Sequence, residues 1–356
     1  MSKELENGSV RIKSSDFRLF KKENEDLWKA VSDLDSSVKE VLEMYSDNDN
    51  LDLLVDLHDD VFLRGSLSPD PEKKICGARI MVLPNGEKLA RAGFSLFAKD
   101  LKFNFDDEEK LWDVCYTNAS GLKTYLYSDN KVHLEQDKKL RLVEKFEENY
   151  LNIFEKCEKK IKLKSCGAPD LALYIMLNTF IRVGNIEYFK RFNHKGLTTL
   201  QKKDVSFDNN ILSFNFVGKD GVPQLICKKF PEFFVKKFEK LVLSLESDDD
   251  FIFTNSNGHC IHSDNFSKIL FDWTGEHFYP HIIRSHYADM TCKNFLKTHR
   301  NATKDEVEAV FMEIAENLGH KKYNKKNDRW EVSFAVTLKN YIHPNFSSRM
   351  INLYKD

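Results

Sequence analysis

Five residues, widely spaced along the chain, carry groups suited to chemistry at a phosphate: Arg182, Lys219, Arg284, His320 and Tyr341. Arg182 ends an apolar run, 171–181, that contains Tyr174 and Met176. A guanidinium at the end of a buried helix needs an anion, because an unpaired buried charge is too costly to keep. A carboxylate of the chain itself would satisfy it, but the four groups that follow argue for a phosphate. A phosphodiester under attack spreads negative charge over its non-bridging oxygens. Catalysis therefore needs fixed positive donors, an in-line nucleophile and a proton for the leaving oxygen. Guanidinium matches phosphate oxygens bidentately, and a tyrosine can act as the nucleophile. Many enzymes use metal ions for the same work. Here the one tempting ligand group, His259-Cys260-Ile261-His262, follows an Asn257-Gly258 turn and lacks the ligand count and spacing of a zinc site. No metal and no other cofactor is expected.

These side chains need a scaffold, and the patterning supplies one. From about residue 138 onward the helical period dominates, with helices expected over 139–160, 171–181, 231–245, 263–273, 282–296 and 304–318. Pro169 stands where proline suits a helix start. One interruption is a three-stranded meander, 200–207, 211–217 and 222–228, whose second turn, Gly218-Lys219-Asp220-Gly221, carries Lys219 at its tip. Before it, 74–133 reads as a small β-rich unit. One hairpin is expected from 78–83 and 88–97 around Pro84-Asn85-Gly86, another from 111–116 and 123–127 around 117–121. The first 72 residues are acidic, with helix-like segments near 23–45 and 51–62. Ser66-Leu67-Ser68-Pro69-Asp70-Pro71 reads as a linker. The expected division is an acidic extension with linker (1–72), a β-rich domain (73–137) and a catalytic domain (138–356). The fold class is α+β, a small β-rich N-terminal domain followed by a mostly α-helical domain with a three-stranded antiparallel sheet.

The composition, 41% hydrophobic and 31% charged, is that of a soluble globular protein, and no apolar run is long enough to span a membrane. The opening Met1-Ser2-Lys3-Glu4-Leu5-Glu6 lacks the apolar core of a secretory signal. Seven scattered cysteines with no CxxC pair point to reduced thiols inside the cell. The net charge of −2 is unevenly spread. Residues 1–139 hold 21 Lys+Arg against 28 Asp+Glu, so −7, and 140–356 hold 33 against 28, so +5. A positive catalytic half can meet phosphates while an acidic module sets the total.

With its most specific stretches, Arg182-Val183-Gly184-Asn185-Ile186-Glu187-Tyr188 with Gly196-Leu197-Thr198-Thr199-Leu200, then Phe216-Val217-Gly218-Lys219-Asp220-Gly221-Val222, then Tyr341-Ile342-His343-Pro344, the chain resembles the type IB DNA topoisomerases. The compact poxvirus, giant-virus and bacterial enzymes of that kind, within the tyrosine recombinase superfamily, are the nearest in pattern, over roughly 77–344. The resemblance implies a C-shaped DNA clamp and relaxation of supercoiled duplex DNA. One strand is nicked through a 3′-phosphotyrosyl link, the duplex rotates, and the strand is resealed without ATP or metal. It implies that Arg182 and Arg284 hold the scissile phosphate, that Lys219 is general acid toward the 5′-oxygen, that His320 donates to a non-bridging oxygen and that Tyr341 is the nucleophile. It sets Asn185, Tyr188, Asp220, Tyr125, Tyr127 and His281 on the DNA side. The partner would be double-stranded DNA, met by a monomer inside the cell (cytoplasm, nucleus or virion), with no membrane; the acidic segment, which has no counterpart in the family, reads first as a solvated extension, with a docking site for a protein partner as the alternative.

Two departures stand out. His281 lies three before Arg284, as in tyrosine recombinases, where the compact topoisomerases often have lysine. The spacer from His320 to Tyr341 is long and basic, and reads as a flexible linker whose Tyr323 is a second candidate nucleophile. A site-specific tyrosine recombinase and a non-catalytic DNA-binding protein are the competing readings.

Overall fold

A computed structural model describes residues 5–25, 27–70, 75–76, 79–104, 111–118 and 120–354. The chain divides into two compact units after residue 138. In the first, β1 (Val10–Ile12), β2 (Leu19–Lys22) and β3 (Trp28–Ser32) precede α1 (Ser36–Asp47), followed by β4 (Val55–Asp56), β5 (Asp59–Leu63), β6 (Ser66–Leu67) and β7 (Ile75–Cys76). Five of these strands form one sheet in the order β3-β2-β1-β6-β7, while β4 and β5 pair separately. Then β8 (Lys99–Phe103), β9 (Val114–Thr117) and β10 (Lys123–Leu126) build a three-stranded antiparallel sheet in the order β10-β9-β8.

The expected acidic extension is therefore corrected: it is half of a folded unit. Asp35 caps α1 by accepting from the Ser37 amide. Val41, Leu42 and Tyr45 of α1 join one apolar cluster with Ile12, Leu34, Leu54 and Leu63, and with Ile80, Phe94, Leu96, Val114 and Leu126 from later in the chain. The acidic run also has inward work. Arg11, 4% exposed, pairs with Asp59 at 2.7 Å and with Asp56, and its Cζ lies 4.7 Å from the Phe62 ring centroid. Nor is 66–71 simply a linker, since β6 is paired on both sides. The charge pattern misled because it hid a sparse apolar set.

The hairpin expected over 78–97 (Ala78 lies outside the described residues) keeps its turn, with Gly86 at φ +84°, and among the described residues it is held by the isolated bridges Ile80↔Phe94 and Val82↔Lys88 rather than by a continuous ladder. The second pairs as expected, Thr117 opposite Lys123 and Val114 opposite Leu126.

A consequence follows for truncation. Removing residues 1–70 withdraws seven core side chains (Ile12, Leu34, Val41, Leu42, Tyr45, Leu54 and Leu63). At ~2 kcal/mol each this approaches ~14 kcal/mol, comparable with the whole stability of a domain. Such a truncation is expected to leave 79–126 unfolded and rapidly digested in limited proteolysis. A protease-resistant 79–126 in the truncated protein would show that the first 70 residues are dispensable to this core.

The second unit contains most of α2 (Asp129–Lys162), then α3 (Ala168–Thr179), α4 (Ile186–Phe192), β11 (Val205–Asp208), β12 (Ile211–Val217), β13 (Pro223–Lys229), α5 (Glu232–Leu243), α6 (Ser263–Thr274), α7 (Ile282–Thr298) and α8 (Lys304–Asn317). It closes with β14 (Lys321–Asn324), β15 (Arg329–Val332), α9 (Ala335–Asn340) and α10 (Pro344–Asn352). Helix α3 is apolar all round, buries nine of its twelve residues and forms the centre of the main core. The meander appears in the expected register, with β12 central. A second cluster gathers α7, α8 and α10 around Tyr341 and Ile342.

The spacer between His320 and Tyr341 is a second correction. It is a hairpin, β14 against β15, with Lys321 opposite Val332 and Asn324 opposite Arg329. Its turn has Asp328 at φ +51°. Glu331 accepts from Asn324 at 2.9 Å, Asn327 at 3.1 Å and Arg329 at 2.9 Å. The basic run looked like a loop because its lysines sit on a two-stranded ribbon with little apolar face to reveal it.

Candidate active site

Arg182 is set by backbone. After α3 the chain turns through Phe180 in the left-handed region (φ +57°) and reaches Gly184 at φ +100°. Gly196 lies directly against this segment: a Cβ there would stand 2.5 Å from the Gly184 nitrogen and 2.7 Å from the Arg182 carbonyl oxygen. Only glycine allows that approach. The Leu197 amide then donates to the Arg182 carbonyl at 2.7 Å, and the Thr198 amide and hydroxyl both donate to the Val183 carbonyl, at 2.6 and 2.8 Å. The Gly196-Leu197-Thr198-Thr199 motif is thus a cradle for the backbone of Arg182.

Arg284 projects from the first turn of α7 and is 2% exposed. Its Nη1 donates to the Phe180 carbonyl and its Nη2 to the Leu318 carbonyl at 2.7 Å, while Nε is buried with no hydrogen-bond partner among the described residues. Nη2 also meets His320 Nε2 at 3.1 Å. A guanidinium only donates, so Nε2 accepts, and the Nδ1–H of His320 donates to Thr337 Oγ1 at 2.8 Å. His320 follows Gly319 (φ +67°), which ends α8; the His320 amide reaches back to the Ala315 carbonyl at 2.8 Å.

Tyr341 lies just past α9, 5% exposed, its amide bonded to the Thr337 carbonyl at 3.0 Å. Around its ring stand His320 (centroids 4.7 Å), His281 (5.1 Å), Arg284 Cζ (5.2 Å), Lys139 Nζ (5.4 Å) and Arg182 Cζ (5.9 Å). Arg182, Arg284 and Lys139 have no ion pair with a carboxylate among the described residues. Three cations crowd one phenol; Lys139 feels the Asp289 carboxyl, while the field of the two guanidiniums favours a bound anion.

Of the five expected residues, four converge: Arg182, Arg284, His320 and Tyr341. Lys219 stands apart, exposed at the β12–β13 turn, where Asp220 (φ +62°) and Gly221 (φ +76°) shape the backbone. That hairpin is nevertheless tied to the His320 region. Gln224 Nε2 donates to the Gly319 carbonyl at 3.0 Å, and Lys321 Nζ donates to the Pro223 carbonyl at 2.8 Å. His281, expected on the DNA side, belongs to the ring of groups around Tyr341. Asn185 spends its Oδ1 capping α4, accepting from the Glu187 and Tyr188 amides at 2.8 and 3.2 Å. Tyr188 and Asp220 are exposed, and so are Tyr125 and Tyr127, which lie two apart at the end of β10 in the first unit. Reading the sequence missed Lys139, Thr337 and Gln224; nothing local distinguishes Lys139 from the other lysines of a charged helix.

Burial controls the titration of the site. It pushes the imidazole pKa values down, to about 3 for His281 and His320 and about 4 for His286, with Arg284 and Arg182 adding to the shift in the first two. It pushes the Asp289 carboxyl up to about 7. Below the ordinary histidine value of ~6.5 the unfolded chain binds three protons that the folded one refuses, so stability present above that pH is lost as pH falls. Asp289 acts oppositely, holding a proton in the folded state between ~4 and 7 that the unfolded chain releases. Three against one leaves two protons, or up to ~2.7 kcal/mol per pH unit between about pH 6 and 4. Melting of the catalytic unit is expected to drop by several degrees per unit there. A midpoint unchanged from pH 7 to 5 would contradict this.

A family model described as the eukaryotic DNA topoisomerase I catalytic core matches residues 128–342, a stretch that includes every member of this cluster. Among solved structures, the chain is similar to a XerH site-specific recombinase bound to palindromic difH substrate in a post-cleavage complex, at 18% identity and a TM-score of 0.32 over 48% of this chain and 44% of that one. It is also similar to a XerA recombinase, at 17% identity and a TM-score of 0.33 over 57% of this chain and 64% of that one. The chain thus spans between 44% and 64% of the length of these structures. No curated protein matches it.

Proposed function

The chain belongs to the family of the eukaryotic DNA topoisomerase I catalytic core, and from that premise we propose that it relaxes supercoiled duplex DNA by transient single-strand cleavage. In the proposed reaction the Tyr341 Oη attacks the scissile phosphorus, forming a P–O bond to the enzyme and breaking the bond to the 5′-oxygen. The phenolic proton leaves to water, and Lys219 delivers a proton to the departing 5′-oxygen, which becomes a hydroxyl. One phosphodiester has been exchanged for another, so the energy of the broken bond is kept and no ATP is needed. After rotation, the 5′-hydroxyl attacks the 3′-phosphotyrosine and releases Tyr341 by the same path in reverse.

Arg182 and Arg284 bind the non-bridging oxygens, and charge developing there is stabilised by donors already fixed. His320, neutral with its proton on Nδ1 in this structure, needs only to break its contact with Arg284 and change tautomer or gain a proton to donate from Nε2. Tyr125, Tyr127, Asn185, Tyr188 and Asp220 bind the duplex. The observation that carries the reading is the convergence of Arg182, Arg284, His281 and His320 on the ring of Tyr341, with no carboxylate paired to either guanidinium among the described residues.

The test is supercoiled plasmid incubated with the purified protein in EDTA without ATP. A ladder of relaxed topoisomers is expected. Plasmid that stays supercoiled, or that recombines only when two specific sites are paired, would overturn the proposal.

A further inference from the structure

Beyond the five residues, two ionisable side chains outside the expected set hold the backbone on either side of Tyr341. Lys139, on α2, is half-buried; its Nζ donates to the carbonyl of Asn340, the residue just before Tyr341, and lies 5.4 Å from the tyrosine ring centroid. Asp289, on α7 and 3% exposed, accepts from the amide of His343, two residues after Tyr341, at 2.7 Å. One end of the Asn340-Tyr341-Ile342-His343 segment is held through its carbonyl and the other through its amide, by side chains from two separate helices. The same α7 carries Arg284 five residues before Asp289, more than one turn earlier. The clamp therefore references the tyrosine to the helix that presents the guanidinium.

The local fold makes such a clamp necessary. Helix α9 has six residues and no side-chain cap, and it ends at Tyr341 with a backbone that is no longer helical (φ −123°, ψ −33°). The last carbonyls of a short helix are unsatisfied, and so short a helix has little stability of its own. Without outside partners, Tyr341 would ride on a frayed end. Lys139 satisfies one of those carbonyls, and its charge lies at the negative end of the helix.

We propose that Lys139 and Asp289 are positioning residues for the nucleophile, a two-sided backbone clamp that sets the Tyr341 oxygen in line with the scissile phosphate. The inference rests on Tyr341 being the attacking group. In this role neither residue is assigned a contact to the phosphate or a proton transfer. They act through geometry, where displacement of ~1 Å can cost ~10²-fold in rate.

The test measures single-turnover cleavage on a duplex oligonucleotide, with DNA affinity and melting temperature followed in parallel. Lys139→Met is expected to slow formation of the covalent adduct by ~10²-fold, with affinity and melting little changed. Lys139→Arg, which can still donate to the Asn340 carbonyl, should recover most of that rate. Asp289→Ala should slow cleavage similarly, and Asp289→Asn, which keeps an acceptor for the His343 amide, should recover it. A substrate with a better 5′ leaving group should rescue neither Lys139→Met nor Asp289→Ala, since their defect lies in the approach of the nucleophile.

Adduct formation by Lys139→Met within threefold of the parent would overturn the clamp. So would losses matched by equal losses of affinity or folding in both Lys139→Met and Asp289→Ala. If the parent protein itself forms no adduct, the proposed cleavage reaction fails and the clamp with it; an adduct that maps to another residue removes the clamp alone.

Discussion

Tyr341→Phe should form no covalent DNA adduct while still binding duplex DNA, and Tyr323→Phe should form the adduct as the parent does. The change removes one oxygen, the proposed nucleophile, and leaves the ring that packs against His281 and His320. Folding and affinity should therefore survive a complete loss of cleavage, and denaturing gels with end-labelled DNA read the difference directly. The spacer hairpin strengthens the contrast with Tyr323. That tyrosine is 41% exposed on β14, its ring edge packed on Trp330 with centroids 5.4 Å apart. Its hydroxyl donates to the Asp328 carboxylate, which holds the phenol pKa above its ordinary value. That bond must break before Tyr323 can attack, which makes it a poorer nucleophile than a free phenol. An adduct that persists in Tyr341→Phe and maps to Tyr323 would overturn the assignment.

Lys219→Ala is expected to slow cleavage by about 10²–10⁴-fold, the usual reach of general acid help, with a much smaller loss of DNA binding. Lys219 is exposed, and its ammonium has no carboxylate partner among the described residues, so it is free to enter a DNA groove. Its turn is not free, because Gln224 and Pro223 of the same hairpin bond to the backbone of Gly319 and the side chain of Lys321, on either side of His320. The proposed acid is thus exposed at its tip and tied at its base. A substrate with a better 5′ leaving group, which needs no proton, should restore much of the Lys219→Ala rate. This rescue separates it from Lys139→Met, for which none is expected. No rescue of Lys219→Ala would make Lys219 an electrostatic or structural residue.

What the chain declares by itself is its local chemistry. The apolar run before Arg182, the Gly218–Gly221 turn and the helical periods from 139 onward are short-range patterns, and short-range patterns act through backbone sterics and the burial of one face. They were enough to forecast the meander and six helices, while Arg182, Lys219, Arg284, His320 and Tyr341 stood out by residue type and order and took their expected roles from the family resemblance. Tertiary structure decided what depends on distant partners. Whether Asp56 and Asp59 are solvated or hold a buried arginine is decided by Arg11, some 45 residues away. Whether a basic spacer is a loop or a ribbon is settled by pairing across its turn. Lys139 is one of many lysines on a charged helix until Asn340 is brought beside it, 201 residues later in the chain. Such contacts leave no periodic signature, because a single long-range hydrogen bond constrains one residue at each end and nothing between.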